Sequence, residues 1–153
     1  MLKEGSKAPA FSLPSTENKK IALKDFKGKK VVLYFYPKDM TPGCTQQACG
    51  FQEELTKIKR KKAVVLGVSA DSLERHQKFA EKYGLKFPLL SDESKKVCEA
   101  YGVWQEKQLY GKKFMGIVRT TFIIDSDGKI LKIFPKVKVK NHIEEVLEAL
   151  SGK

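Results

Sequence analysis

The stretch Lys29–Phe51, "KKVVLYFYPKDMTPGCTQQACGF", holds a strand, a turn and the start of a helix, and its reading decides the fold. Six apolar residues, Val31 to Tyr36, run without the alternation of a half-exposed strand, so Lys30–Tyr36 is expected to be a strand buried on both faces. Pro37 ends it. Beyond Thr41-Pro42-Gly43, the positions Ala48, Phe51, Leu55 and Ile58 recur at helical spacing, which predicts an amphipathic helix over about 46–60. A second apolar run, "AVVLGVSA" at 63–70, predicts the next buried strand, so strand, helix and strand form a crossover unit.

Downstream, Ser72–Tyr83 closed by Gly84 and a shorter segment, Ser94–Tyr101 closed by Gly102, read as helices. "RTTFIIDSDGKILKIF" carries two β-rich runs around Asp127-Gly128, a hairpin pattern, and "NHIEEVLEAL" predicts a last helix with Asn141 as its cap. The fold class expected is α/β, a central mixed sheet flanked by helices with an antiparallel hairpin at one side. No repeat or linker interrupts the 153 residues, which are expected to form a single domain, 1–153.

Composition narrows the function. The 30 Lys and Arg outnumber the 18 Asp and Glu, a net charge of +12, but the lysines are spread along the chain and accompany no nucleic-acid-binding motif. No specific nucleic-acid partner is expected. The first residues, "MLKEGSKAPAFS", lack the apolar core of a signal peptide, and the longest apolar run is far shorter than the ~20 residues of a membrane span. The expectation is a cytoplasmic protein with no membrane partner.

The candidates for chemistry are Cys44 and Cys49. On a regular helix a five-residue step separates Cα atoms by about 8.6 Å, whereas a disulfide needs about 4.4–6.8 Å. If these two cysteines bond, at least one must leave the helix. Cys44 follows Pro42-Gly43 at a helix entrance, where unpaired N–H groups and the positive end of the helix dipole favour a thiolate, the nucleophilic form. Thr41, three residues earlier, is placed to donate its hydroxyl hydrogen to that sulfur or to an oxygen bound beside it. Other readings of the same letters stand: two small buried hydrophobes, or two thiolates of a zinc site, although His76, His142 and Cys98 show no ligand spacing to complete one. The two histidines are expected at the surface and Cys98 in partly buried packing. Gly50 is expected to keep the Cys44 helix marginal, since glycine costs about 1 kcal/mol relative to alanine in a helix interior; Gly50→Ala would then slow its opening.

"YFYPKDMTPGCTQQACGF", with "LLSDESKKVCEAYGVW" and "GIVRTTFIIDSDGKI", resembles the peroxiredoxin Q family, also called bacterioferritin comigratory proteins, over nearly the whole chain. Pro37, Thr41 and Cys44 match the family's P-x-x-x-T-x-x-C motif, and Arg119 occupies its separate arginine position. The resemblance implies a thioredoxin-like fold with an N-terminal extension, and thiol-dependent reduction of hydrogen peroxide and organic hydroperoxides without metal or organic cofactor. It implies Cys44 as the peroxidatic cysteine, forming a sulfenic acid, and Cys49 as the resolving cysteine of an intramolecular disulfide. Thr41 and Arg119 would hold the thiolate and the peroxide oxygens, and Pro37 would shield the sulfenic acid. The implied partners are peroxides and a dithiol reductant such as thioredoxin or glutaredoxin, with the chain a monomer or at most a weak dimer. A general thiol–disulfide oxidoreductase, a redox sensor and a basic binding module remain the competing classes; peroxide consumption with a dithiol separates the first of these from a peroxidase.

Overall fold

The computed structural model describes residues 2–151. A five-stranded sheet of order β5-β4-β3-β8-β9 organises it, made of β3 (Lys30–Phe35), β4 (Ala63–Ser69), β5 (Leu89–Ser91), β8 (Thr120–Ile124) and β9 (Ile130–Phe134). β3 pairs in parallel with β4, and β4 with β5; β8 is antiparallel to both β3 and β9. The hairpin expected around Asp127-Gly128 is β8–β9, and it closes one side of the sheet.

β3 lies at the centre and is buried on both faces, as its unbroken apolar run requires. Val31, Leu33 and Phe35 enter one core with Phe11, Leu66, Val68, Cys98, Tyr101 and Phe122. Val32, Tyr34 and Tyr36 enter the other with Cys44, Ala48, Phe51, Ile58, Phe79 and Val146. The helices on that second face are α1 (Pro42–Glu53), α2 (Leu55–Arg60), α3 (Leu73–Tyr83) and α5 (His142–Leu150); α4 (Lys96–Ala100) carries Cys98 into the first core.

Several boundaries differ from expectation. The helix predicted over 46–60 begins at Pro42 and breaks at Glu54 into α1 and α2. Pro42 opens it because a first-turn N–H needs no helical partner and the proline φ is already helical. α3 matches its predicted span, with the Ser72 hydroxyl accepting from Arg75 N and Gly84 at φ 63° closing it. Asn141 does occupy the cap position of α5, but through a left-handed φ of 63° and with no side-chain cap bond. The N-terminal extension folds as a small antiparallel pair, β1 (Ser12–Pro14) with β2 (Lys20–Ala22), and a 3-10 turn at Leu23–Phe26. A further hairpin, β6 (Trp104–Leu109) with β7 (Lys112–Ile117), was not legible in the periodicity because its residues are mostly exposed on both faces. Among the described residues no helix is long and apolar enough to cross a membrane.

Candidate active site

β3 ends at Phe35, and the buried Tyr36 with Pro37 to Thr41 leads from the sheet into α1. Met40 takes a positive φ of 68°, folding this loop tightly. Asp39 anchors the loop from within. Its carboxylate accepts from the Tyr36 hydroxyl at 2.5 Å and lies 2.5 Å from Nδ1 of His76, while Nε2 of His76 faces the Leu90 carbonyl at 2.9 Å. The Asp39 N–H donates to Asp71, which also accepts from the Ser69 hydroxyl and pairs with Arg75. His76 and Asp39 are completely buried, so the surface position expected of His76 is corrected. The signal for it was present, since His76 stands three residues before Phe79 on the core-facing side of α3.

At the head of α1, Gly43 and Cys44 lie in the first turn, whose N–H groups have no helical acceptor. Cys44 is only 1% exposed. It belongs to the same apolar cluster as Tyr34, Tyr36 and Ala48, and the Arg119 guanidinium lies against it. Arg119, between β7 and β8, donates from Nη2 to Cys44 Sγ at 3.2 Å and from Nη1 to Gln47 Oε1 at 2.6 Å. A β-carbon at Gly43 would lie 3.2 Å from Nη2, so the glycine leaves room for the guanidinium.

Gln47 is the site residue that sequence reasoning missed, although it lies three positions from Cys44, on the same side of α1. Its side chain is buried; one amide oxygen fixes Arg119, and its Nε2 has no protein partner. An anion at Sγ thus meets a guanidinium and a helix N-terminus, with the guanidinium held in place by Gln47. The groove lined by Lys20, Ile21, Leu55, Val65 and Phe87 does not include Cys44.

The structure brings Cys44 and Arg119 together and places the other candidates around them. The Thr41 hydroxyl donates to the Lys38 carbonyl at 2.8 Å, not to the sulfur as its position had suggested, because the turn at Met40 brings that carbonyl back toward it. Pro37 is half-buried at the end of β3. Cys49 is half-buried one turn further along α1, unbonded, and its thiol is pushed above the ordinary value by burial and then by the Glu53 carboxylate. Lys107, on β6, is drawn in as well: its ammonium donates to the Ile117 carbonyl at 3.0 Å, and burial, followed by the Arg119 charge, lowers its pKa.

His142 is a second correction. It is buried at the start of α5, edge-on to Phe51 and Phe134, with Nε2 2.9 Å from the Thr121 hydroxyl, and burial followed by the Arg119 charge lowers its pKa to about 4. Cys98 is fully rather than partly buried, and desolvation raises its thiol well above the ordinary range.

The AhpC/TSA family model matches residues 5–133. Peroxiredoxin Bcp of Escherichia coli K12 is 50% identical over 149 residues, which cover 97% of this chain and 96% of that protein. Peroxiredoxin Bcp of Bacillus subtilis is 49% identical over 146 residues, covering 95% and 93%. Among solved structures, the Xanthomonas campestris bacterioferritin comigratory protein, described for alkyl peroxide reduction, superposes with a TM-score of 0.92 at 37% identity over 98% of both chains. A cysteine-to-serine variant of peroxiredoxin Q from Xylella fastidiosa gives 0.94 at 36% identity, over 99% of this chain and 97% of that one. These likenesses span the strand, the loop and the helix that bring Cys44 to Arg119, and the chain accordingly belongs to the AhpC/TSA family, in its peroxiredoxin Q or bacterioferritin comigratory branch, as a thiol-dependent peroxidase with a thioredoxin-like fold.

Proposed function

We propose that the whole chain acts as one peroxiredoxin domain in which Cys44 is oxidised and Cys49 resolves. The observation that carries this reading is the 3.2 Å contact from Arg119 Nη2 to Cys44 Sγ at the N-terminus of α1. In the first step the Cys44 thiolate attacks the terminal oxygen of the hydroperoxide. An S–O bond forms, the O–O bond breaks, and Cys44 becomes a sulfenic acid. The departing oxygen leaves as hydroxide or alkoxide and is protonated to water or alcohol. Negative charge moves from sulfur to the leaving oxygen, so a guanidinium spanning the two stabilises the transition state more than the ground state.

Gln47 holds that guanidinium in place. Thr41 works as an acceptor, because its own hydroxyl hydrogen is committed to Lys38; its oxygen receives the peroxide O–H and turns the substrate toward the sulfur. Pro37, which has no N–H to offer, covers the sulfenic acid.

Cys49 then attacks the sulfenic sulfur, releasing water and forming the Cys44–Cys49 disulfide, and an external dithiol of the thioredoxin or glutaredoxin kind reduces it with exchange of two thiols. Because an intact helix holds the two Cα atoms about 8.6 Å apart, resolution waits for part of α1 to unwind. Unwinding also removes the burial that raises the pKa of the Cys49 thiol. Hydrogen peroxide and alkyl hydroperoxides are the substrates, the reducing cytoplasm is the setting, and the monomer suffices, since the described residues of one chain supply every group invoked.

The test is stopped-flow peroxide consumption with a thioredoxin system, followed by mass mapping of the product and amide exchange over residues 44–52. Fast consumption, a Cys44–Cys49 bond and loss of protection on oxidation are expected. Thioredoxin-supported reduction of protein disulfides without peroxide consumption would overturn the assignment in favour of a general oxidoreductase.

A further inference from the structure

The β6–β7 hairpin carries features that the peroxide chemistry does not use. Six large hydrophobic residues are exposed among the described residues, and four of them sit here: Leu109 (57% exposed), Tyr110 (95%), Phe114 (45%) and Met115 (51%). The turn is Tyr110-Gly111, with φ of 52° and 77°. A two-residue turn of this kind needs positive φ at both positions and is ordinarily filled by Asn, Asp or Gly. A bulky aromatic there is strained, and at this exposure its ring gains no packing within the chain. The strain therefore serves to present the ring outward.

The hairpin is also tied to the reaction centre. Lys107 pairs with Phe114 and Leu109 with Lys112 across the two strands, so the alternation of side chains puts all four on one face. The approach of Lys107 Cδ and Phe114 Cε2 to the open side of Gly116, 3.0 and 3.5 Å from where a β-carbon would stand, confirms the shared face. Lys107 reaches down that face to the Ile117 carbonyl, two residues before Arg119, within the electrostatic field of both Arg119 and Cys44. Of the charged residues on the two strands, Lys107 and Lys112 share this face with Leu109 and Phe114, whereas Glu106 and Lys113 lie with Met115 on the other, in a chain of net charge +12.

We infer that this hairpin face is the docking surface for the protein dithiol that reduces the Cys44–Cys49 disulfide, a partner whose surface around its cysteine pair is apolar and acidic. The inference rests on the peroxidase reading, because turnover obliges a dithiol to arrive beside α1 in every cycle, and this is the apolar, lysine-bordered surface adjoining that point. A second copy is the poorer occupant, since like-charged hairpins would repel.

The experiment compares wild type with the triple variant Leu109→Thr, Tyr110→Asn, Phe114→Thr, and with Tyr110→Asn alone, a substitution that relieves the turn. Turnover is driven by thioredoxin with its reductase or by dithiothreitol. The triple variant should raise KM for thioredoxin about tenfold, with kcat, dithiothreitol-driven turnover and single-turnover peroxide oxidation within about twofold of wild type. Tyr110→Asn alone should reproduce about a third of that rise. Lys112→Glu should raise the same KM at low salt, an effect that shrinks at high salt.

An unchanged KM for thioredoxin would overturn the inference, as would an equal loss with both reductants. If phosphatidylserine vesicles capture wild type but not the triple variant while KM is unaltered, the face belongs to a membrane and the inference falls. If sedimentation shows a wild-type dimer that the triple variant dissolves, with KM again unaltered, it belongs to a second copy and the inference falls likewise. Absence of wild-type peroxidase activity with either reductant would instead overturn the peroxidase reading, and the docking surface with it.

Discussion

The two halves of α1 stand in opposite environments. The half bearing Cys44 is clamped: Arg119 and Gln47 hold it from one side, and the preceding loop is pinned by the Tyr36–Asp39–His76 network. The half bearing Cys49 meets α5 through apolar contacts, with Phe51 edge-on to His142 and Gly50 against Ile143, is tied at its far end by a hydrogen bond from the Lys86 N–H to Gln52 Oε1 at 2.6 Å, and ends one residue before the break at Glu54. Polar networks of fixed geometry resist displacement, whereas an apolar contact near a helix end separates at lower cost. The difference assigns separate tasks to one short helix. On the proposed mechanism, one end keeps charged groups aligned for the oxidation and the other lets go so that Cys49 can travel.

The comparison breaks most completely at the cysteines themselves. Cys44→Ser should abolish single-turnover peroxide consumption, and Cys49→Ser should leave it intact but halt at the sulfenic acid, as mass spectrometry would record. Consumption surviving in the first variant would reverse the two tasks. Removing the clamp comes next: Arg119→Ala should slow the oxidation step about 10²–10³-fold, with disulfide formation unaffected once the sulfenic acid exists. Stopped-flow traces with normal oxidation and slow resolution would move Arg119 to the other half of the comparison.

The α5 side is sharpened by pH. His142 is held neutral in the fold, with a pKa lowered to about 4. The unfolded chain, with an ordinary histidine near about 6.5, binds the extra proton first as pH falls. Between those two values stability therefore declines with acid, by up to about 3 kcal/mol, and this contribution is constant above and below the window. Urea unfolding at pH 7 and pH 4.5 should show the decline in wild type and a smaller one in His142→Gln, because the carboxylates remain.

The smallest effect expected is at Gly50, and its sign is opposite to the one its helix propensity suggests. A β-carbon there would lie 2.9 Å from Ile143 Cγ1, so Gly50→Ala should press α5 away and destabilise the chain by about 1–3 kcal/mol rather than firm up α1. Combined with Ile143→Ala, the glycine substitution should lose most of its penalty in a double-mutant cycle. Slower disulfide resolution in Gly50→Ala alone would restore the propensity argument.

By itself the sequence determined the central strand, the crossover, the β8–β9 hairpin and the helix entrance at Cys44, because each rests on local patterns of apolar spacing, proline and glycine. It also carried Arg119, although only through the resemblance, since 75 residues separate it from the sulfur it touches. Tertiary structure alone decided the rest. Whether Cys44 is exposed, whether His76 and His142 are surface or core, which way the Thr41 hydroxyl turns and what Gly50 lies against depend on segments far apart in the chain. Local spacing sets which face a residue occupies, but burial and partnership are settled by what the fold packs against that face.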